Sequence, residues 1–497
     1  PTGLGKSAIY QLAGIQIEGP TIVVSPLIAL QKDQLDSIDG LDLPSAVALN
    51  STLSNGRRRD VLERLARGDI EFLFLAPEQF ANDEVLDAVR AAEPSLFVVD
   101  EAHCICEWGH DFRPEYLRLG AVIHAVGDPV VLALTATAAP PVRAEIIERL
   151  DMEDPAVVVR GFDRPNIHLA VESFADDATK REALVERVRA QEGAGIVYAA
   201  THRRTEQIAE ALSAAGIRAA AYHAGLAKKA RTDIQEQFMA GGIDVIVATT
   251  AFGMGIDKPD VRFVFHHDIS DSVDSYYQEI GRAGRDGEPA SAVLFFRAED
   301  IALRRFFAGT PDVGEDSLRA VVRALRHGPA TAEQLAERLA VGNGALRAAL
   351  DYLGDADATE TGPDGTVRLA AGVSTSGAIQ DAEAAADRRE AFDRTRVEMI
   401  RSYAETAGCR REYLLTYFGE PFQGPCGNCD TCESGSAGAA AEGEQPFALQ
   451  SRVQHREFGA GTVVRYEPGR VVVLFDDSGY RTLKLELVLQ DALLAPA

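Results

Sequence analysis

The sequence contains few cysteines, one tryptophan, no long apolar run and no excess of positive charge. Six cysteines in 497 residues are too sparse for a small secreted disulfide scaffold. No stretch approaches the roughly 20 apolar residues of a membrane-spanning helix. The formal net charge of -26 argues against a protein that coats nucleic acid with a basic surface, although a local basic groove is compatible with it. We therefore expect a soluble, intracellular protein.

The length indicates several domains. A chain of 497 residues exceeds what one hydrophobic core organises, which predicts three to five domains. The chain begins at Pro1 without an initiator Met, and we interpret it as a sequence that lacks an upstream segment.

The first 305 residues alternate short apolar runs with helical segments. Parallel sheets covered by helices on both faces have this pattern. We predict an α/β fold with two tandem parallel-sheet domains, at 1–160 and 161–305. The candidate strands are Thr21–Ser25, Phe72–Ala76, Leu96–Asp100 and Val130–Thr135 in the first domain, and Gly195–Ala199, Ala219–His223, Val245–Thr249 and Val261–His267 in the second.

The remaining sequence predicts smaller units. Three short helices and a β-hairpin indicate a winged-helix-like domain at 315–372, and residues 380–433 should form a helical hairpin that leads into a cysteine cluster. The Gly, Ala, Ser and Glu content of 434–447 predicts a linker. Two β-rich runs broken by turns predict a small barrel at 448–497.

Gly3, Gly5, Lys6 and Ser7 are spaced as in a phosphate-binding loop. Glycines let backbone N–H groups approach phosphates, the lysine reaches the β- and γ-phosphates, and the serine binds Mg²⁺. A Gly-Lys-Ser triplet also occurs by chance, so a second half of the site is needed to support ATP binding.

That second half is an acidic pair at the end of a predicted buried strand. Asp100 and Glu101 follow Leu96–Val99, and open α/β sheets place ligand chemistry at the carboxyl ends of their strands. Asp100 would hold Mg²⁺, and Glu101 would orient or deprotonate the attacking water. The alternative is an acidic strand end that is simply exposed to solvent. The position of the pair, directly after a buried strand and downstream of the Gly-Lys-Ser triplet, disfavours that alternative.

Arg282 and Arg285 lie in the segment Gln278–Arg285, where two glycines accompany them. Paired arginines beside small residues can reach a phosphate across a domain cleft. Such arginine fingers accelerate phosphoryl transfer by about 10³- to 10⁵-fold. A plain surface helix would not need these glycines, so we predict that Gln278, Arg282 and Arg285 serve hydrolysis.

Together these motifs resemble the RecQ branch of superfamily 2 helicases. The matching segments are Pro1–Ser7, Val24–Gln34, Leu49–Thr52, Asp100–His103, Leu134–Thr137, Ala251–Pro259 and Gln278–Arg285. The resemblance covers residues 1 to about 305 and 395–433. It implies RecA-like domains, ATP and Mg²⁺ as cofactors, and 3′-to-5′ translocation on single-stranded DNA. It also implies that Thr135 and Thr137 couple the ATP site to DNA, that Asp257 links the domains, and that Asn50 contacts DNA.

The branch-specific segment is Cys104–Pro114, which resembles the RecQ aromatic-rich loop that senses single-stranded DNA and triggers hydrolysis. Trp108 and Phe112 can stack on bases, and Arg113 supplies positive charge. A tryptophan buried in the core is the alternative. Polar neighbours such as His110, which we include among the predicted DNA contacts, are poor core residues.

Cys409, Cys426, Cys429 and Cys432 have the spacing of a zinc site, with sixteen residues between the first two and two between each later pair. Four thiolates complete a tetrahedral structural Zn²⁺ and leave no open position for metal catalysis. Four free buried cysteines are the alternative, which this spacing disfavours. The segment Tyr413–Glu420 also resembles the RecQ zinc subdomain.

Two domains have open roles. The winged-helix-like segment precedes the zinc site, whereas RecQ relatives carry theirs after it. Its candidate recognition helix offers Arg347 but also Asp351, so DNA binding and protein packing are equally supported. Segments between Val453 and Asp477 resemble the Tudor-like barrel that ends UvrD- and PcrA-type helicases. That resemblance implies a protein partner, and a purely stabilising barrel is the alternative.

These features predict an ATP-dependent helicase that acts on single-stranded and partly duplex DNA in repair and recombination. It would work in the cytoplasm, associated with the nucleoid. A scaffold without motor activity is one alternative, because a strand and an adenine-reading glutamine motif would lie before Pro1. An RNA-unwinding relative is another, against which the aromatic-rich loop and the four cysteines argue. The sequence does not determine the oligomeric state.

Overall fold

A computed structural model describes most of the chain. Its residues are 5–26, 28–39, 45–50, 53–106, 114–253, 257–308, 314–339, 342–356, 358–361, 366–422, 424–439, 445–467, 469–476 and 478–496. Along the chain they form two parallel sheets, a winged-helix-like unit, a helical region with a cysteine cluster, and an antiparallel sheet. The predicted fold class is confirmed.

The first domain is a five-stranded parallel sheet covered by helices. Its strands are β1 (Thr21–Val24), β2 (Ala46–Leu49), β3 (Phe72–Leu75), β4 (Leu96–Val99) and β5 (Val130–Ala133), and its helices are α1 (Lys6–Gly14), α2 (Ile28–Asp39), α3 (Asn55–Ala66), α4 (Asp83–Ala91), α5 (Leu119–Ala125) and α6 (Pro140–Arg149). The strand order is β2-β3-β1-β4-β5. The three central strands are buried along their whole length, because helices pack on both faces.

The second domain repeats this architecture with a six-stranded parallel sheet. Its strands are β6 (Ile167–Ser173), β7 (Ala194–Tyr198), β8 (Ala219–Tyr222), β9 (Val245–Ala248), β10 (Val261–His266) and β11 (Ala290–Phe296), and its helices are α7 (Asp177–Arg189), α8 (His202–Ala214), α9 (Lys228–Met239), α10 (Val273–Ile280) and α11 (Asp300–Ala308). The strand order is β6-β11-β10-β7-β9-β8. In both sheets the carboxyl ends of the strands share one edge, which therefore collects the polar residues that follow them.

A buried ion cluster fixes this edge of the second sheet. Asp268 follows β10 and pairs with Arg204, while the fully buried Lys180 places its Nζ 2.5 Å from Asp300 and 3.7 Å from Asp268. Burial alone would raise the pKa of Asp268. The hydrogen bond from His267 and the charges of His267, Lys180 and Arg204 instead hold that pKa well below its usual range.

We expect Asp268→Asn to lower the free energy of unfolding by about 3–5 kcal/mol, because it leaves buried cations without their partner. The folded-state pKa is depressed, so the stabilisation is full above the unfolded carboxyl pKa of about 4 and is lost as the pH falls toward the folded value. Urea titrations at pH 7 and pH 3 should therefore show a smaller difference from wild type at pH 3. Asp244→Asn, which breaks an exposed pair with Arg218, should cost less than about 1 kcal/mol. Equal losses in the two variants would contradict this account.

The winged-helix-like unit follows the second domain. Its elements are α12 (Glu315–Leu325), β12 (Ala330–Thr331), α13 (Ala332–Arg338), α14 (Asn343–Asp355), β13 (Thr359–Thr361) and β14 (Thr366–Leu369). The three strands form an antiparallel sheet in the order β12-β14-β13. The turn predicted at Gly362–Gly365 lies outside the described residues.

One long helix joins this unit to the cysteine cluster. α15 (Thr375–Glu405) contributes Ala378 and Ala382 to the winged-helix core, and Ile400 and Tyr403 to the core of the second domain. It is followed by α16 (Arg410–Tyr417), which completes the predicted helical hairpin. Because α15 is shared by two cores, the orientation of the winged-helix unit is tied to the cysteine-bearing region.

The chain ends in a small antiparallel sheet that closes over its own core. After α17 (Asp430–Glu433), its elements are β15 (Arg452–His455), β16 (Gly459–Glu467), β17 (Arg470–Phe475), β18 (Gly479–Lys484), α18 (Leu485–Gln490) and β19 (Leu494–Pro496), and the strand order is β18-β17-β16-β15-β19. Within the predicted linker, Ser436–Ala439 forms a 3-10 helix with a buried Ala437. No helix in the described parts of the chain is long and apolar enough to cross a membrane.

The outer face of this barrel packs on α15 and α16. The ring of Tyr480 stacks on that of Tyr417, with centroids 5.6 Å apart, and its backbone N–H donates to Thr395 Oγ1 at 3.2 Å. The guanidinium of Arg465 lies 3.6 Å from the ring centroid of Tyr413. This face of the barrel is therefore packed against the helices and is not exposed to solvent.

Tyr480→Ala should destabilise the protein by about 3–5 kcal/mol, because it empties a buried aromatic site between Phe392 and Tyr417. Tyr480→Phe keeps the ring and should cost no more than about 1.5 kcal/mol. Denaturant titration measures both values. A loss below about 1 kcal/mol for the alanine variant would mean that the barrel is only loosely attached.

Candidate nucleotide and zinc sites

The amino end of α1 is built to receive an anion. Gly5 precedes the helix with a φ of +71°, and Lys6 and Ser7 occupy its first turn. Unpaired N–H groups and the helix dipole favour a phosphate at such an end. A Cβ at Gly5 would meet no atom within 4 Å, so its positive φ, rather than space, calls for glycine. Gly3, the other predicted glycine of this loop, lies outside the described residues.

Asp100 and Glu101 follow β4. Burial, and then repulsion from Glu101, raises the pKa of Asp100 to about 7, while the nearby charge of Lys6 acts in the opposite direction. Glu101 adopts a φ of +49°, a strained conformation of the kind that persists at functional sites. A partly buried pair of carboxylates fits a hard dication such as Mg²⁺, because the metal charge offsets their repulsion and their desolvation.

A chain of close polar contacts joins this acidic pair to the second domain. Glu101 Oε2 lies 3.3 Å from His103 Nδ1, and that nitrogen lies 2.9 Å from Thr135 Oγ1. Gln278, from the second domain, donates from Nε2 to Thr137 Oγ1 at 3.1 Å and lies 3.4 Å from His103 Nε2. Gln278 of the second domain therefore contacts His103 and Thr137 of the first. Because His103 also contacts Glu101, a relative movement of the domains would change the surroundings of Glu101.

Arg282 and Arg285 lie just beyond α10. Arg282 is 6% exposed, and its Nε has no hydrogen-bond partner among the described residues. Arg285 places Nη1 2.6 Å from Asp257 Oδ1, and burial, followed by repulsion from Arg282, lowers its pKa. Two desolvated guanidinium groups with an unused donor are costly, and an anionic ligand would relieve that cost.

The predicted DNA contacts Trp108, His110, Phe112 and Arg113 lie outside the described residues, and their role stays a prediction. Asn50 is described and is 7% exposed, and its Nδ2 donates to Gln31 Oε1 at 3.4 Å. In this arrangement the Asn50 amide faces the interior of the first domain rather than solvent.

The four downstream cysteines form one cluster. The Sγ atoms of Cys409, Cys426, Cys429 and Cys432 all lie within 4.8 Å of one another. Those of Cys426 and Cys432 are 3.9 Å apart, close to the roughly 3.8 Å across a tetrahedron with Zn–S bonds of about 2.3 Å. The donor set and the spacing fit a closed structural Zn²⁺.

Sequence reasoning missed how this cysteine-bearing region holds the segment 161–167 between the two sheets. Arg411 pairs with Asp163 and donates to the Ile167 carbonyl at 2.7 Å. Asn428, between two zinc ligands, donates from Nδ2 to the Pro165 carbonyl at 2.9 Å. Residues 161–167 show no helical or strand periodicity that would predict these contacts. The one sequence feature that could have indicated them is the run Arg164-Pro165-Asn166 at the domain junction.

The winged-helix unit faces the first domain across a cleft of about 1050 Å³. α14, the candidate recognition helix, lines it with Arg347 and Asp351, opposite Glu115 and Arg118. Because both walls mix charges, the described part of the cleft is not a uniformly basic phosphate groove.

Three family models match the chain. They are described as DEAD/DEAH box helicase over 1–145, helicase conserved C-terminal domain over 179–287, and RecQ zinc-binding over 373–433. The last of these spans the four cysteines, so zinc is confirmed as a predicted cofactor, and the clustered cysteines are the proposed ligands.

Several curated proteins are similar to this chain. Probable ATP-dependent DNA helicase RecS of Bacillus subtilis is 36% identical over 471 residues, covering 93% of this chain and 92% of that protein. ATP-dependent DNA helicase RecQ of Pasteurella multocida is 35% identical over 436 residues, covering 87% of this chain and 56% of that protein. The RecQ of Bacillus subtilis is 41% identical over 307 residues, covering 62% and 51%. The chain thus spans about half the length of these two RecQ relatives.

Among solved structures, the DUF1998 helicase MrfA bound to DNA matches with a TM-score of 0.51 at 18% identity, over 77% of this chain and 58% of that chain. An identity this low supports the fold alone. The family follows from the RecS relative, which matches over nearly its whole length, and from the zinc-binding region. This chain belongs to the RecQ family of ATP-dependent DNA helicases.

Proposed function

We propose that this chain hydrolyses ATP to translocate 3′ to 5′ on single-stranded DNA and to unwind duplex DNA in repair and recombination. The observation that carries the proposal is the chain of polar contacts from Glu101 through His103 to Gln278, together with the Gln278–Thr137 hydrogen bond. It connects the acidic pair of one domain with the arginine-bearing segment of the other, as a motor driven by domain closure requires. The names of the RecS and RecQ relatives agree with this activity.

In this proposal the first domain binds the nucleotide. Lys6 and the N–H groups at the start of α1 would hold the phosphates, and Ser7 and Asp100 would hold Mg²⁺, which supplies charge neutralisation when bound. Glu101, placed beside His103, would orient the attacking water and accept its proton. Gly3 and Gly5 would let the backbone approach the phosphates.

The second domain would complete the site. Arg282 and Arg285 would meet the charge that develops on the transferred phosphoryl group. In the present arrangement Asp257 holds Arg285, so this guanidinium must exchange a carboxylate for a phosphate when the domains close. Asp257 would thereby link the state of the cleft to the nucleotide.

DNA contact is proposed for Trp108, His110, Phe112 and Arg113, since stacking rings beside a cation bind single strands without sequence preference. Asn50 would join them only after its amide leaves Gln31. A protein partner of the C-terminal barrel would have to use surface away from α15 and α16, which cover its other side.

The test is ATP hydrolysis with and without single-stranded DNA, for wild type and Glu101→Gln. We expect DNA to stimulate hydrolysis and the substitution to lower the stimulated rate by about 10²- to 10⁴-fold while nucleotide binding persists. Glu93→Gln is a matched control, because this exposed glutamate also has a positive φ, of +48°, and precedes β4 at its opposite end. Partial duplexes with a 3′ or a 5′ single-stranded tail test the polarity.

Absence of hydrolysis with DNA present would reject the motor and favour a scaffold. Stimulation by RNA as strong as that by DNA would favour an RNA-unwinding enzyme. Unwinding only of the substrate with a 5′ tail would reject the proposed polarity.

A further inference from the structure

Arg164 contacts the loop 281–285, here named the arginine loop because it carries the proposed catalytic residues Arg282 and Arg285. Its Nη1 donates to the Gly281 carbonyl at 2.9 Å, and its Nη2 donates to the carbonyls of Ala283 at 2.6 Å and Gly284 at 2.9 Å. These carbonyls flank Arg282 and immediately precede Arg285. One side chain therefore fixes the backbone on both sides of the first arginine.

The contact has a clear physical basis. α10 ends at Ile280, and the carbonyls beyond a helix end lack intrahelical partners and carry the negative end of the dipole. A planar guanidinium reaches several such carbonyls with fixed geometry, which a lysine ammonium cannot do. Burial lowers the pKa of Arg164, so its hydrogen bonds act in a partly desolvated setting where they are stronger.

Asn166 supports the same loop. Its Nδ2 donates to the carbonyls of Gly284 at 2.8 Å and Glu288 at 2.9 Å. Gly284 has a φ of +55°, and a Cβ there would lie 2.4 Å from Asn166 Nδ2. Both the close approach of Asn166 and the positive φ therefore require glycine at position 284.

The segment that carries Arg164 and Asn166 is itself held by the zinc-binding region. Besides Arg411 and Asn428, the ring of Phe418 stacks on Phe162 with centroids 4.8 Å apart, and Glu420 accepts a hydrogen bond from the Phe162 N–H. The contacts run from the zinc-binding region to 161–167, and from there to the arginine loop.

We propose that Arg164 is a positioning residue for ATP hydrolysis: it fixes the loop that presents Arg282 and Arg285, and the zinc-binding region fixes Arg164. The zinc-binding region thereby sets the placement of the arginines in addition to stabilising the fold. This inference rests on the proposed role of Arg282 and Arg285 in hydrolysis.

The experiment is DNA-stimulated ATP hydrolysis by the zinc-loaded full chain across a range of ATP concentrations. Arg164→Ala should lower kcat by about 10- to 100-fold, the effect of a small misplacement of catalytic groups. The KM for ATP, the affinity for single-stranded DNA and the zinc content should stay within about twofold of wild type. The kcat of Arg164→Lys should lie between that of wild type and that of Arg164→Ala. In a variant that already carries Arg282→Ala and Arg285→Ala, Arg164→Ala should add almost no further loss, because Arg164 acts through those two arginines.

Arg90→Ala is the matched control. Arg90 Nε donates at 2.8 Å to the carbonyl of Ala125, the last residue of α5, far from the arginine loop in sequence. This variant should keep kcat within about twofold of wild type. If Arg164→Ala fails to fold, Asn166→Ala takes its place, with an expected severalfold loss in kcat at unchanged KM.

Wild-type kcat in folded, zinc-loaded Arg164→Ala, beside an inactive Arg285→Ala, would overturn this inference and leave the proposed function intact. If Arg164→Ala fails to fold, a wild-type kcat in Asn166→Ala would likewise overturn this inference. A wild-type chain that does not hydrolyse ATP, or Arg282→Ala and Arg285→Ala variants that are both as active as wild type, would overturn the role of the arginines and this inference with it.

Discussion

Replacing either Arg282 or Arg285 with alanine should lower DNA-stimulated ATP hydrolysis by about 10³-fold or more. A factor of 10³ corresponds to about 4 kcal/mol of transition-state stabilisation. The structure supports an effect of this size because both guanidinium groups are desolvated, and Arg282 Nε has no partner among the described residues. The unused Nε donor of Arg282, held in a water-poor site, needs little rearrangement when charge develops, whereas Arg285 must first exchange Asp257 for the phosphate.

The loss should appear in kcat rather than in nucleotide affinity, since phosphate binding is proposed for Lys6 and the N–H groups at the start of α1, in the other domain. Steady-state kinetics with an equilibrium nucleotide-binding measurement separates the two. Arg285→Lys should recover little activity, because a point charge does not replace the guanidinium fork. Arg218→Ala removes an exposed arginine of the same domain and should be neutral. A decrease of less than tenfold in both alanine variants would show that hydrolysis does not use these arginines.

The strands of the two sheets show what the sequence predicts well. β1, β3 and β4 are continuous apolar runs because they are buried on both faces, and the predicted ranges match them to within one residue. β2 was missed because it is a short run of mostly small residues that is only half-buried, and β6 was missed because polar residues interrupt its apolar run. β11 was missed although it is buried, because small residues at its start dilute the apolar signal.

The candidate sites divide in the same way. Cysteine spacing predicted the four-thiol cluster, because a tetrahedral metal site restricts the sequence locally. The phosphate loop was predicted from the spacing of its glycines, lysine and serine. The acidic pair was predicted from its place at the carboxyl end of a buried strand. The contacts of Arg164 and the packing of Tyr480 were not, because they join segments with no fixed spacing. Only the folded chain shows which carbonyls a single arginine reaches.

Loss of zinc should destabilise the protein at least as much as a large-to-small core substitution. Structural Zn²⁺ contributes about 10–16 kcal/mol in isolated zinc-finger peptides at neutral pH. The effect here should be several kcal/mol, because packing around Tyr413 and Phe418 persists without the metal. Cys429 is the most informative position, since its side chain is fully buried and it precedes Asp430, which binds Arg410 and the Val171 N–H.

Cys429→Ala should therefore abolish stoichiometric zinc binding and lower the midpoint of denaturant unfolding, as metal analysis and denaturant titration would show. Cys104→Ala, which changes a buried cysteine of the first domain, should retain one zinc per chain. Zinc retention in Cys429→Ala with wild-type stability would contradict the four-thiolate site. Because the zinc-binding region holds 161–167, the fraction of Cys429→Ala that stays folded should also show a reduced kcat at nearly unchanged KM. That kinetic change would separate placement of the arginines from simple loss of folded protein, which lowers the amount of active enzyme without altering its kcat.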